Sequence, residues 1–126
     1  MDTSAIYAII DRDDANHRKV TSILRSISRQ GLTPLLTNFI VAESHALLLS
    51  RLGAAVARDW LVKQIWPVKP VISSDERKAK EIIQRYTDKT FSYTDATSFA
   101  VMDTLGISEG FAFDVHFQQY GLKILG

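Results

Sequence analysis

Apolar residues recur every three or four positions along most of this chain, and short continuous apolar runs separate those stretches. The first kind of pattern marks one face of a helix and the second a buried strand. Between Ala15 and Gln30, the residues Val20, Ile23, Leu24 and Ile27 share one helical face, while Arg18, Arg25 and Arg29 line the opposite one. The pattern predicts helices over Ala5–Ile10 and Asn16–Ile27, broken by the charged turn Asp11-Arg12-Asp13-Asp14. Leu32–Thr37 reads as a strand with Pro34 near its start. Asn38–Arg51 and Ala54–Ile65 read as helices with Gly53 as the stop between them. Pro67–Ile72 is a strand fenced by prolines, which suits a sheet edge. Ser73 or Ser74 is expected to cap a helix reaching Tyr86, with Asp75 and Glu76 in its first turn. Thr94 or a neighbour caps the next helix, Asp95–Leu105, which stops at Gly106. Phe111–Phe113 and Leu122–Leu125 complete the strands. Alternation of this kind predicts an α/β fold.

Composition narrows the possibilities. The 126 residues point to one domain, 1–126, able to bury roughly two thirds of its unfolded surface. The chain has no cysteine, which excludes disulfides, thiolate metal sites and cysteine nucleophiles and suits a reducing cytoplasm. No apolar stretch approaches the ~20 residues of a membrane span, and no secretory signal opens the chain, so a cytoplasmic protein without membrane contact is expected. The net charge of +1 decides nothing about nucleic acid. Its distribution is more useful: the arginine face above and a second group, Arg77, Lys78, Lys80, Arg85 and Lys89, could steer a polyanion or simply be solvated helix surface.

Four acids stand beside or inside apolar runs: Asp2, Glu43, Asp95 and Asp114. Glu43 shares a helical stripe with Phe39, Ile40, Ala46 and Leu47, and a carboxylate there must be desolvated at a cost unless a cation or hydrogen-bond donors compensate. Asp114 follows the apolar run Phe111-Ala112-Phe113. In open α/β sheets ligands bind beyond the carboxyl ends of strands, and there Asp114 would end a strand while Asp95 opens a helix. Gathered together, the four would make a pocket for a hard divalent cation, Mg2+ or Mn2+. Asp11, Asp13 and Asp14 do not form a calcium loop, because the glycine and the distal acid that such a loop requires are missing.

In their local contexts these residues resemble the PIN-domain ribonucleases. Asp2-Thr3-Ser4-Ala5 leads into a helix, Glu43 lies inside an apolar helix, and Tyr93-Thr94-Asp95-Ala96 opens another. Phe113-Asp114-Val115-His116-Phe117 is followed by Gly121. Within that family the chain is most similar to the small bacterial and archaeal toxins of VapBC toxin–antitoxin pairs, over its whole length. The resemblance implies a three-layer α/β/α sandwich with a mainly parallel central sheet, divalent-metal-dependent hydrolysis of RNA, a partner antitoxin and a homodimer. On this reading Asp2, Glu43, Asp95 and Asp114 bind metal and are catalytic, with a water between metal and carboxylate as nucleophile.

Four neighbours are candidates for support. Thr3 and Ser4 could hold a carboxylate or phosphate, or cap the first helix. Ser98 lies one turn after Asp95 and could face the same pocket, a plain helix-surface serine being the alternative; His116, two residues after Asp114, could touch substrate, a packed or exposed histidine being the alternative. Two other functions compete. A catalytically silent PIN-fold module for nucleic-acid binding or assembly is disfavoured by the complete acidic quartet, since crowded like charges are costly to keep without a metal. A phosphoacceptor receiver domain would need an acidic pair after the first strand and a lysine after a late one, and the spacing supplies neither. Finally, only Met1 precedes Asp2, whereas a central strand runs about five residues. The expectation is therefore a natural start several residues upstream, with β-branched or aromatic residues leading into Asp2.

Overall fold

The computed structural model describes residues 1–112 and 115–124. In chain order the elements are α1 (Thr3–Ile10), α2 (His17–Arg29), β1 (Leu36–Thr37), α3 (Asn38–Leu52), α4 (Ala54–Lys63), β2 (Val68–Lys69), α5 (Ser73–Arg85), α6 (Tyr93–Leu105), β3 (Glu109–Gly110), α7 (His116–Tyr120) and β4 (Lys123–Ile124). β1 pairs in parallel with β2, and β3 in parallel with β4. The first two residues join the pairs. The Met1 amine donates to the Leu35 carbonyl at 2.9 Å, and the Asp2 N–H donates to the Phe111 carbonyl at 2.8 Å. Two residues therefore bridge the halves of the sheet.

Phe111 and Ala112 directly follow β3, and their different neighbours show what each side of the strands meets. Phe111 packs with Ala5 and Ala8 of α1 and with Val20 and Ile27 of α2. Ala112 packs with Ala79 and Ile82 of α5, Phe99 and Ala100 of α6, and Phe117 of α7. Helices cover both faces, giving the three-layer α/β/α arrangement. Phe99 is the centre of the second layer: it meets Phe117 edge-on at 5.1 Å and stacks on Tyr120 at 4.5 Å. Gly110 lies directly under the Phe117 ring, where any Cβ would collide with the ring carbons.

The strands are shorter than the apolar runs suggested. Leu32 is exposed, Pro34 has no N–H to offer, and pairing begins only at Leu36. Pro67–Ile72 likewise narrows to Val68–Lys69, and the last strand to Lys123–Ile124. Pairing starts two residues before the predicted Phe111, at Glu109; Phe113, Asp114 and Leu125 lie outside the described residues. The α2 face was read as it stands, with Val20 and Ile27 buried and Arg18, Arg25 and Arg29 exposed. The stripe assigned to α3 needs correction. Ile40, Ser44 and Leu48 are the buried residues, Ala46 is exposed, and Glu43 is half-buried at the margin of the stripe rather than inside it.

The cap of α6, expected at Thr94 or a neighbour, is Ser92, so the helix begins at Tyr93; the cap of α5 differs from expectation. The Ser92 hydroxyl accepts from the Asp95 N–H, and the Asp95 carboxylate accepts from the Ser92 N–H, both at 3.0 Å. Ser92-x-x-Asp95 is the capping-box spacing, so the signal was present in the sequence. α5 starts after Ile72, whose N–H is held by Asp75 at 3.0 Å, so neither Ser73 nor Ser74 is the cap.

Candidate active site

Asp2 is the cap of α1. Its Oδ2 accepts from the Ser4 hydroxyl at 2.9 Å and from the Ser4 N–H at 3.4 Å. Only 3% of the residue is exposed. Its position is set from two sides, by the backbone bond to Phe111 and by the start of the helix it caps. Thr3, next in sequence, accepts at 3.4 Å from the hydroxyl of buried Ser44 on α3, which ties the beginning of α1 to the helix that carries Glu43. Ser44 was not singled out in the sequence, where a serine beside an acid carries no distinctive pattern.

Asp95 is 6% exposed at the first turn of α6. One of its oxygens, Oδ2, receives both the Ser92 N–H at 3.0 Å and His116 Nδ1 at 2.8 Å. Its other oxygen accepts nothing among the described residues. His116 rests edge-on against Phe91 at 5.8 Å, and its Nε2 lies 3.4 Å from the Thr90 hydroxyl. Sequence reading offered His116 as a substrate contact or a packed residue; the structure gives it a carboxylate to hold. Ser98, one turn after Asp95, is buried rather than on the helix surface, and its hydroxyl has no partner among the described residues. A buried hydroxyl without a partner costs stability, and a water or ligand atom would satisfy it.

Asp2–Ser4, Asp95–His116 and Thr3–Ser44 are thus the pairs the fold assembles. Glu43 is half-buried on α3, one residue from Ser44. Asp114 lies outside the described residues. Among the described residues no three His, Asp or Glu side chains gather in metal-holding geometry. The donors that are in place suit a hard cation in their chemistry: carboxylate oxygens and a serine hydroxyl, with no cysteine thiolate anywhere in the chain.

A PIN-domain sequence profile matches residues 1–123. The chain belongs to the PIN-domain family. Its relatives include the 23S rRNA-specific endonuclease VapC20 of Mycobacterium tuberculosis, in strains CDC 1551 / Oshkosh and ATCC 25618 / H37Rv. Each is 33% identical over 124 residues, covering 96% of this chain and 92% of the relative. The crystal structure of M. tuberculosis VapC20, described as a sarcin–ricin loop cleaving toxin, superposes with a TM-score of 0.85 at 29% identity, covering 96% of this chain and 93% of that one. This PIN domain is therefore of the VapC toxin type. Among its described residues, no helix is long and apolar enough to cross a membrane.

Proposed function

We propose that this VapC-type PIN domain hydrolyses RNA phosphodiester bonds with the help of Mg2+ or Mn2+ held by Asp2, Glu43, Asp95 and Asp114. A ribonuclease toxin is what the family membership supports. The observation that supports the site most directly is the buried Asp95 carboxylate, with one oxygen tied by two donors and the other accepting nothing among the described residues. A bound cation would supply an activated water and offset charge on the phosphate. The chain's own part is orientation. Ser4 holds one oxygen of Asp2, while the Ser92 N–H and His116 hold one oxygen of Asp95, so neither carboxylate swings when substrate arrives. Ser98, one turn after Asp95, has a buried hydroxyl that a water would satisfy.

The name of the relative makes 23S rRNA the first substrate to try. An antitoxin partner follows from the same kinship, and a homodimer is proposed with it. The test is cleavage of ribosomal RNA in magnesium, in EDTA, and with Asp95→Asn. Cleavage that survives both EDTA and the substitution would sink the metal reading. Co-expression with the gene immediately upstream should yield a complex in which cleavage is suppressed.

A further inference from the structure

We propose that Phe39 and Tyr93 form a stacking platform for an unpaired RNA base at the edge of the acidic site, an inference that rests on the ribonuclease reading above. The rings lie 5.8 Å apart, inclined at 54°. Tyr93 is the first residue of α6, two before Asp95, and Phe39 lies on α3 one turn ahead of Glu43. The pair therefore spans the starts of the two helices that carry those acids. Among the described residues, neither ring belongs to any of the four apolar clusters of the core or packs against one. Tyr93 is 37% exposed, and Phe39 is half-buried.

The platform is held in place. The Tyr93 hydroxyl donates to Glu76 Oε1 of α5 at 3.0 Å, so the ring is fixed at its tip by one helix and along its side by Phe39 of another. A pre-ordered aromatic face loses little side-chain freedom on binding. The chemistry selects the ligand. The Glu76 carboxylate beside the ring repels a phosphate and accepts from the N–H groups of a base edge. A base inside an A-form duplex is stacked on its neighbours and cannot reach an outside ring, whereas one splayed from a loop or single strand can. Stacking on an aromatic ring tolerates any base, so the platform selects unpaired over paired RNA rather than one sequence over another.

The test is binding of a fluorescent unpaired RNA oligonucleotide, and of the same strand annealed to its complement, measured by anisotropy in EDTA so that nothing is cut. Tyr93→Ala and Phe39→Ala should each weaken binding of the unpaired strand by roughly ten-fold, the scale of one lost base–ring stack. Both should leave duplex binding and the melting temperature near the parent values. Tyr93→Phe, which keeps the ring and loses the bond to Glu76, should restore most of what Tyr93→Ala loses. Equal affinity of Tyr93→Ala and parent for the unpaired strand overturns the platform. So does a Tyr93→Phe protein as weak as Tyr93→Ala, because the hydroxyl would then be the group that matters. A parent that neither binds nor cleaves any RNA would overturn the ribonuclease reading itself, and the platform with it.

Discussion

His116 Nδ1 lies 2.8 Å from Asp95 Oδ2, joining the short helix α7 to the first turn of α6 across 21 residues of sequence. The same oxygen already accepts the Ser92 N–H. The histidine thus acts on the one carboxylate whose direction the capping box has half determined, and it completes the constraint.

His116→Ala should therefore leave a folded protein whose cleavage rate falls by about 10–100-fold, the usual cost of removing the group that orients a metal-binding side chain. His116→Asn places an amide N–H close to the position of Nδ1 and should recover much of the loss. Cleavage rates at saturating RNA check this, and His116→Ala at parental rate would show that Asp95 is already oriented by Ser92 alone.

Asp114→Asn and Asp95→Asn should each abolish cleavage without unfolding the chain. Asparagine keeps the size of aspartate, and at position 95 its carbonyl can still accept from the Ser92 N–H and complete the capping box of α6. Circular dichroism reads the fold and RNA cleavage reads the function. Parental activity in Asp114→Asn would remove it from the ligand set.

Magnesium or manganese should raise the melting temperature over an EDTA sample, because a ligand that binds only the folded state stabilises it by mass action. Carboxylates brought close together raise one another's pKa until a cation intervenes, so the shift should shrink in the Asp95→Asn and Asp114→Asn proteins. An identical melting curve with and without metal would count against the site.

A chain with a free amine at Met1 should gain stability as pH rises from about 6 to about 8 in the absence of metal. Burial pushes the amine down from 8.0 to about 6, with the Asp2 charge opposing the change. The side chain of Met1 is only half-buried; the amine itself points inward to the Leu35 carbonyl. Above pH 8 the amine is neutral in both states and costs nothing. Between the two values the unfolded chain binds a proton that the folded chain does not, so stability drops as the pH is lowered, and below 6 the full penalty of roughly 3 kcal/mol applies. Residues added ahead of Met1 should remove this dependence and raise the urea midpoint. An apolar cavity of about 310 Å³ lined by Met1, Pro34, Leu36, Ile107 and Phe111 has room for their side chains. Equal midpoints with equal activity in the two forms would show that Met1 and Asp2 alone suffice.

The sequence by itself determined the six longer helices, α1 to α6, and the order of the acids along the chain. Period and capping are local: Val20, Ile27 and the arginines opposite them define α2, and Gly53 and Gly106 stop their helices, whatever the rest of the chain does. Tertiary structure alone decided the lengths of the strands and the partners. A two-residue strand such as Leu36–Thr37 has no period to read, and it exists because Val68–Lys69 offers it a ladder. Asp2 is held in the sheet by a carbonyl at Phe111, more than a hundred residues away. Glu43 was placed one position too deep because a helical stripe does not say which of its edges the neighbouring helices cover, and α1 chose Ser44. The hydrogen bond from His116 to Asp95 has no sequence signature either. It depends on a five-residue helix too short to announce itself by periodicity, held against the α6 layer by Phe117 packing on Phe99.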